Sequence, residues 1–270
     1  MISQLVIIPT GGLANRMRVI ASAISLAQYY NLVPVILWNN TEGLKADFED
    51  LFLPLPHASG RIENNRKARY NISGTKDYLL RWLPLHLRFN HVIHNFNAYE
   101  QGDLADRLQG KSGSAVIISC NPLQPRYNLS QLFVPQRHIQ EQIDAMASRF
   151  TPHTIGVHIR RTDNNLSIRQ SPLEVFIEKL DTELQHDPDA SFFLATDDEE
   201  VKKHLRKRFP GRIFTGTQPA DRNSVTGMTD AVIDLYALSR TRKIIGSYFS
   251  SYSQMAADLG EIAVEYALKT

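Results

Sequence analysis

The sequence is short of cysteine: Cys120 is alone among 270 residues, so neither an intrachain disulfide nor a cysteine metal site is available. A reducing, cytoplasmic setting is expected from that. Long apolar runs are missing too, none approaching the roughly 20 residues of a membrane-spanning helix. The apolar start, Met1 to Ile8, lacks a basic flank and is too short for a signal peptide, so it reads as a first strand. Neither charge sign prevails: 30 Lys and Arg face 28 Asp and Glu, a net of +2. A nucleic-acid partner, which would need a strongly basic face, is therefore not expected. No repeat of fixed period and no low-complexity tract interrupts the chain.

What is present is alternation. Leu5 to Ile8 is an apolar, β-branched run broken by Pro9-Thr10-Gly11-Gly12, after which Leu13, Met17, Ile20, Ile24 and Ala27 recur every three or four positions. With Val33 to Trp38 this makes a strand, glycine loop, helix, strand unit, from which parallel sheets are built. A short helix fits Asp47 to Phe52, and Ala115 to Ser119 returns to strand character. Pro122, Pro125 and Pro135, with little periodicity between them, mark a connection between an amino-terminal domain, 1–135, and a carboxyl-terminal one, 136–270. In the second half, strands at 154–159, 191–195, 212–214, 243–246 and 262–267 alternate with helices at 136–150, after Pro172, and at 199–209, 229–239 and 251–259. The expected fold class is α/β, two Rossmann-like domains whose parallel sheets face a cleft.

Residues 39–114 are less regular. Between Arg61 and His94, Arg61, Arg66, Lys67, Arg69, Lys76, Arg81 and Arg88 stand against only Glu63 and Asp77, with Tyr70, Tyr78, Trp82 and Phe89 interleaved. Such a run suits a solvated face first, and also RNA, anionic lipid headgroups or a polyanionic acceptor.

Several stretches are chemically uneconomical unless they meet a ligand. Gly156-Val157-His158-Ile159-Arg160-Arg161-Thr162-Asp163 runs an apolar strand into two adjacent guanidiniums, which repel one another and are costly to desolvate without an anion. Strand alternation puts His158 and Arg160 on one side and Ile159 and Arg161 on the other. Arg161 is equally suited to an ion pair with Asp163. Gly11 and Gly12 precede a helix whose first turn carries Asn15 and Arg16, amides and polar groups suited to an anion. The spacing matches neither the dinucleotide fingerprint nor the P-loop. Thr196-Asp197-Asp198 ends a strand; Asp198 fits a helix cap, while Asp197 orients the loop or meets a ligand. Asp234 is out of place within Ala231 to Leu238 unless donors reach it, and a guanine base offers two in a row. Ser247, Ser250, Ser251 and Ser253 gather where a strand turns into a helix, suiting a diphosphate or ordinary capping. No G-x-S-x-G elbow accompanies them, so nucleophilic serine catalysis is set aside.

In combination, His158-Ile159-Arg160-Arg161-Thr162-Asp163, Ala195-Thr196-Asp197-Asp198, Val232-Ile233-Asp234-Leu235 and Phe249-Ser250-Ser251 resemble the ordered motifs of the α1,6-fucosyltransferase and nodulation fucosyltransferase group. The loop Gly11 to Arg16 is similar to the amino-terminal loop of the wider superfamily, which includes α1,2- and protein O-fucosyltransferases. The resemblance covers most of 154–260 and the first thirty residues. It implies a GT-B architecture and an inverting transfer of L-fucose from GDP-fucose to a glycan hydroxyl, with no metal and no cofactor. Adjacent rather than alternating carboxylates at 197–198 agree with that. It further implies Arg160 on the β-phosphate, His158 and Asp234 on the guanosine, and Ser250 and Ser251 on the diphosphate. The loop with Gly11, Gly12, Asn15 and Arg16 would close the cleft from the amino half. By their own chemistry, apart from the resemblance, Arg161 suits a structural ion pair at least as well as a donor contact, and Asp197 orients its loop or meets the donor. The acceptor partner is expected to be a glycan or a lipid-linked oligosaccharide, the latter met peripherally at the inner face of a membrane.

One departure leaves a rival reading open. Asn164 to Ser171 contains no carboxylate, whereas the core-fucosylating relative has a glutamate there that is thought to act as base. The base is then Asp163, a residue of 39–114, or absent, and Asp163 is the assignment carried forward. The rival is a nucleotide-sugar or phosphate-binding module without transferase activity.

Overall fold

Strands that are apolar on both faces demand cover on both sides, which is the situation of a parallel sheet between helices. In the computed structural model the described residues are 1–65, 78–129, 131–162, 165–216 and 220–269, with the backbone alone for 78–82. The chain divides into two compact units, Met1–Val134 and Pro135–Thr270, against the expected 135/136.

The first unit runs β1 (Ile2–Pro9), α1 (Leu13–Tyr29), β2 (Val35–Trp38), α2 (Phe48–Leu51), β3 (Arg61–Asn64), α3 (Tyr78–Arg88), β4 (His91–His94), α4 (Ala98–Gln101), α5 (Leu104–Leu108) and β5 (Gly113–Ser119). Its five strands are all parallel and lie in the order β3-β2-β1-β5-β4. Val6, Ile8, Val116 and Ile118 of the two central strands pack with Leu37 under Leu85 and Phe89 from α3 and its end. The intervening Leu5 and Ile7 are buried on the opposite face. Short α2 is fixed by a capping box in which Asp47 and Asp50 exchange bonds with each other's backbone.

The second unit runs α6 (Arg137–Ala147), β6 (Thr154–Ile159), α7 (Asn165–Gln170), α8 (Leu173–His186), β7 (Ser191–Thr196), α9 (Glu199–Arg208), β8 (Ile213–Phe214), α10 (Val225–Leu238), β9 (Ile244–Ser247), α11 (Ser251–Gly260) and β10 (Val264–Ala267). Again all five strands are parallel, in the order β10-β9-β6-β7-β8. Every residue of β6 is buried. Ile155, Val157 and Ile159 join Phe176 and Leu180 of α8 and Val201 and Leu205 of α9 in one apolar cluster. On its other face Gly156 leaves room for α10, since a Cβ there would meet Thr241 Oγ1 at 2.7 Å and Leu238 at 3.0 Å.

The α/β fold class is as expected from the sequence. Two details differ. The irregular middle contains β3, α3 and β4, all parallel-sheet components. Helix α10 begins at Val225 rather than near 229, because Ser224 caps it by accepting the Gly227 amide at 3.1 Å. Among the described residues no helix is long and apolar enough to cross a membrane.

Candidate functional site

Open parallel sheets bind ligands at the carboxyl ends of strands on either side of the point where strand order reverses. In the second unit that point lies between β6 and β9. The register pairs His158 with Gly246, and the absent side chain at 246 is what the site is built around. A Cβ there would fall 2.5 Å from Ser253 Oγ. With glycine, Ser253 of α11 reaches across to His158, its Oγ 2.8 Å from Nδ1. Ser250 Oγ lies 3.4 Å from the same nitrogen. Tyr252 stacks on the imidazole with centroids 4.8 Å apart and planes 34° apart, and its hydroxyl donates to Ala231 O on α10.

The two strand ends are then tied together by one hydroxyl. Ser247 Oγ accepts the Arg160 amide at 3.0 Å and donates to His158 O at 3.3 Å. This fixes the backbone from which the Arg160 side chain leaves. The following turn is held by Asp197, whose carboxylate accepts the Arg161 amide at 2.7 Å, the Thr162 amide at 3.3 Å and the Thr162 hydroxyl at 2.6 Å. Arg222 adds a contact to Asp197 at 3.6 Å. The Arg161 side chain donates to Ser171 O at 2.9 Å, and Ser171 Oγ in turn accepts the Tyr248 amide at 2.8 Å. Among the described residues, Arg161 Nη2 is buried without a hydrogen-bond partner. Asp163, the expected base, and with it any Arg161–Asp163 pair, lies outside the described residues. Asp198 caps α9 by accepting the Glu200 and Val201 amides at 2.8 and 3.3 Å.

Burial sets the protonation states. His158 is pushed down to about 3, mainly by burial, with Asp197 opposing and Arg160 and Arg222 reinforcing. It is therefore a neutral imidazole at physiological pH. Asp234 on α10 is pushed the other way, up to about 7: burial raises it, Asp230 adds to the rise, and Lys202 opposes. Among the described residues its carboxylate makes no hydrogen bond. Gly216 stands beside it, where a Cβ would sit 3.4 Å from Oδ1. One turn earlier, Asp230 Oδ2 is buried and unpartnered.

Within the first unit, Gly11 adopts φ +77°, and a Cβ there would fall 2.8 Å from Asn15 Nδ2 and 3.3 Å from Cys120. Gly12 precedes α1 without a side-chain cap. Asn15 accepts from Arg18 at 2.8 Å. Arg16, 3% exposed, donates to Gly11 O at 2.9 Å, to Asn39 O, and to Thr41 Oγ1 at 2.9 Å. Its guanidinium carbon lies 5.2 Å from the Trp38 ring centroid, and burial lowers its pKa to about 10. The guanidinium thus braces the loops after β1 and β2.

Of the residues expected to form a site, His158, Arg160, Ser250 and Ser251 share the ends of β6 and β9 and the start of α11. Asp234 is linked to them through Tyr252, whose ring lies on His158 and whose hydroxyl is kept protonated first by burial and then by the charge of Asp234. Arg161 and Asp197 form the adjoining turn, and Gly11, Gly12, Asn15 and Arg16 form the corresponding loop of the first unit. Sequence reading missed Tyr252, Gly246 and Ser171. Gly246 had a legible signal, a glycine inside an apolar strand, which marks close approach by another group. Among the described residues no group of three or more His, Cys, Asp or Glu side chains is arranged to hold a metal ion.

No protein-family model matches the sequence, and no curated protein matches it. Solved structures do match. The NodZ α1,6-fucosyltransferase soaked with GDP-fucose, an enzyme solved from Bradyrhizobium, superposes with a TM-score of 0.64 at 22% identity over 95% of this chain and 92% of that one. An Arabidopsis thaliana FUT1 mutant in complex with GDP gives 0.61 at 14% identity over 98% and 70%. POFUT1 in complex with GDP-fucose gives 0.57 at 11% identity over 97% of each. This chain therefore has the GT-B fold of those fucosyltransferases.

Proposed function

We propose that the protein transfers L-fucose from GDP-fucose to a hydroxyl of a glycan, with inversion and without a metal. One observation carries the reading. Ser247 and Ser250 hold neutral His158 and the Arg160 backbone at the switch point, and Tyr252, stacked on His158, bonds to α10, which carries an Asp234 carboxylate unbonded among the described residues, in a fold whose neighbours were solved with GDP or GDP-fucose.

On this reading the Asp234 carboxylate accepts the guanine N1–H and N2–H side by side, which an ionised carboxylate does well and a protonated one does not. Neutral His158, its Nδ1 occupied by the serine hydroxyls, offers Nε2 to the nucleoside. Ser250, Ser251 and the first amides of α11 face the diphosphate, where a helix N-terminus favours negative charge. As the bond from the fucose anomeric carbon to the β-phosphate oxygen breaks, negative charge collects on that phosphate and the sugar becomes oxocarbenium-like. The Arg160 guanidinium, anchored through its backbone, stabilises the departing charge, the role a metal ion plays in other transferases. The acceptor oxygen bonds to the anomeric carbon from the opposite face, converting the β-linked donor to an α-fucoside, and its proton passes to Asp163.

A thermal-shift panel of nucleotide sugars tests the donor. A ligand at 100 times its dissociation constant stabilises by about 2.7 kcal/mol, so GDP and GDP-fucose should raise the melting temperature while UDP and ADP sugars do not. No response to any guanine nucleotide overturns the proposal. Product formation from GDP-fucose in EDTA tests metal independence, and an Asp163→Asn variant with unchanged turnover would remove Asp163 as base. A chain that binds GDP-fucose yet neither transfers nor slowly hydrolyses it would instead be a binding module.

A further inference from the structure

Helix α3 has two apolar faces where a simple surface helix has one. Leu85 and, just past the helix end, Phe89 are buried in the core of the first unit. Leu83 and Leu87, four residues apart and so on one stripe, point outward at 62% and 80% exposure. Exposing paired leucines to water is unfavourable and usually marks a surface that meets something apolar. The charge around them limits what that is. From Tyr78 to Tyr99 the sequence contains no Asp or Glu, but has Arg81, Arg88, His86, His91 and His94. His86 and Arg88 are exposed beside the leucine stripe. An apolar stripe with a guanidinium beside it and no carboxylate on the helix is complementary to an interface that is apolar within and anionic at its surface, and a bilayer containing acidic lipids is that interface. A protein partner would need an acidic apolar groove; the run of Arg and His without a carboxylate favours the lipid surface.

We propose that α3 docks the protein onto anionic membranes, inserting Leu83 and Leu87 among the acyl chains with Arg88 and His86 at the headgroups. Docking would hold the protein beside a lipid-linked acceptor. The inference stands apart from the transferase reading, because it is read without donor or acceptor.

The test is co-sedimentation of the full chain with vesicles of phosphatidylcholine alone and of phosphatidylcholine with phosphatidylglycerol. Wild-type protein should pellet with the acidic vesicles, remain in solution with the neutral ones, and be released as salt rises. The double variant Leu83→Glu, Leu87→Glu should lose at least about tenfold in partition to the acidic vesicles, while its melting temperature, checked by circular dichroism, stays at the wild-type value because both side chains are exposed. Failure of the wild type to bind acidic vesicles overturns the proposal, as does equal binding to both vesicle types or undiminished binding by a folded double variant. None of these failures touches GDP-fucose binding.

Discussion

Arg160 is held by its backbone, through Ser247, at the end of a fully buried strand. A cation whose backbone anchor is set before the reaction has less reorganisation left to undergo as charge develops, and removing one such group from an active site slows turnover by about a hundred- to a thousandfold. Arg160→Ala should fall in that range in kcat with a smaller change in donor affinity; wild-type turnover in a folded variant would remove the role. Asp234 makes a prediction about pH. Its carboxyl titrates near 4 when unfolded and at about 7 when folded. The folded chain therefore holds an extra proton between those values, and the contribution to stability, complete below about 4, is lost as pH rises to about 7. Guanine-nucleotide affinity should move oppositely, growing as the carboxylate forms. Asp234→Asn should flatten the stability change over that window and abolish the nucleotide response; an Asn variant that still binds GDP with a step near pH 7 contradicts it. His158, pushed down to about 3, stays neutral throughout and cannot supply that step.

At the scale of elements, β9 and α11 are matched by what Gly246 lacks. Gly246→Ala sets a Cβ 2.5 Å from Ser253 Oγ, so α11 must shift or Ser253 must turn away from His158. A loss of about 1–3 kcal/mol is expected from overpacking, with weaker guanine-nucleotide binding although residue 246 offers no side chain to a ligand. Urea denaturation and the nucleotide thermal shift check both parts; a stable variant with wild-type nucleotide response refutes the account. The same element shows what was legible in advance. β6 was readable residue for residue, because Thr154 to Ile159, apolar but for Thr154 and His158, runs abruptly into charge. Ser250 and Ser251 were readable as a helix start. Tyr252 was not, since within a helix an aromatic between serines has no pattern that separates a ring stacked on histidine from one in the core. In the first unit, β3 escaped because Arg61-Ile62-Glu63-Asn64 is an edge strand with its charges outward. The helix before β4 was obscured by Pro84, which removes one rung of hydrogen bonds but is tolerated in the exposed middle of α3. The early start of α10 was hidden because Gly227 reads as a breaker. It is required there: a Cβ would strike Asp221 O at 1.9 Å.

At the scale of the molecule, each unit owns a complete five-stranded sheet and its covering helices. Residues 135–270 expressed alone should therefore fold cooperatively and keep the melting-temperature response to GDP, while forming no fucoside. An unfolded fragment, or one with activity, would refute that division of labour. The order of the first sheet has a further consequence, for the chain as it is being made. Its centre pairs β1 with β5, joining Ile8 to Ile118, whereas the strand next to be synthesised after β1, β2, can pair early. The nascent chain must wait for nearly the whole first unit to emerge from the ribosome before its central strands meet, leaving apolar β1 and β2 half-paired in the meantime. Truncation anywhere before Ser119 should leave an aggregation-prone stub rather than a smaller domain.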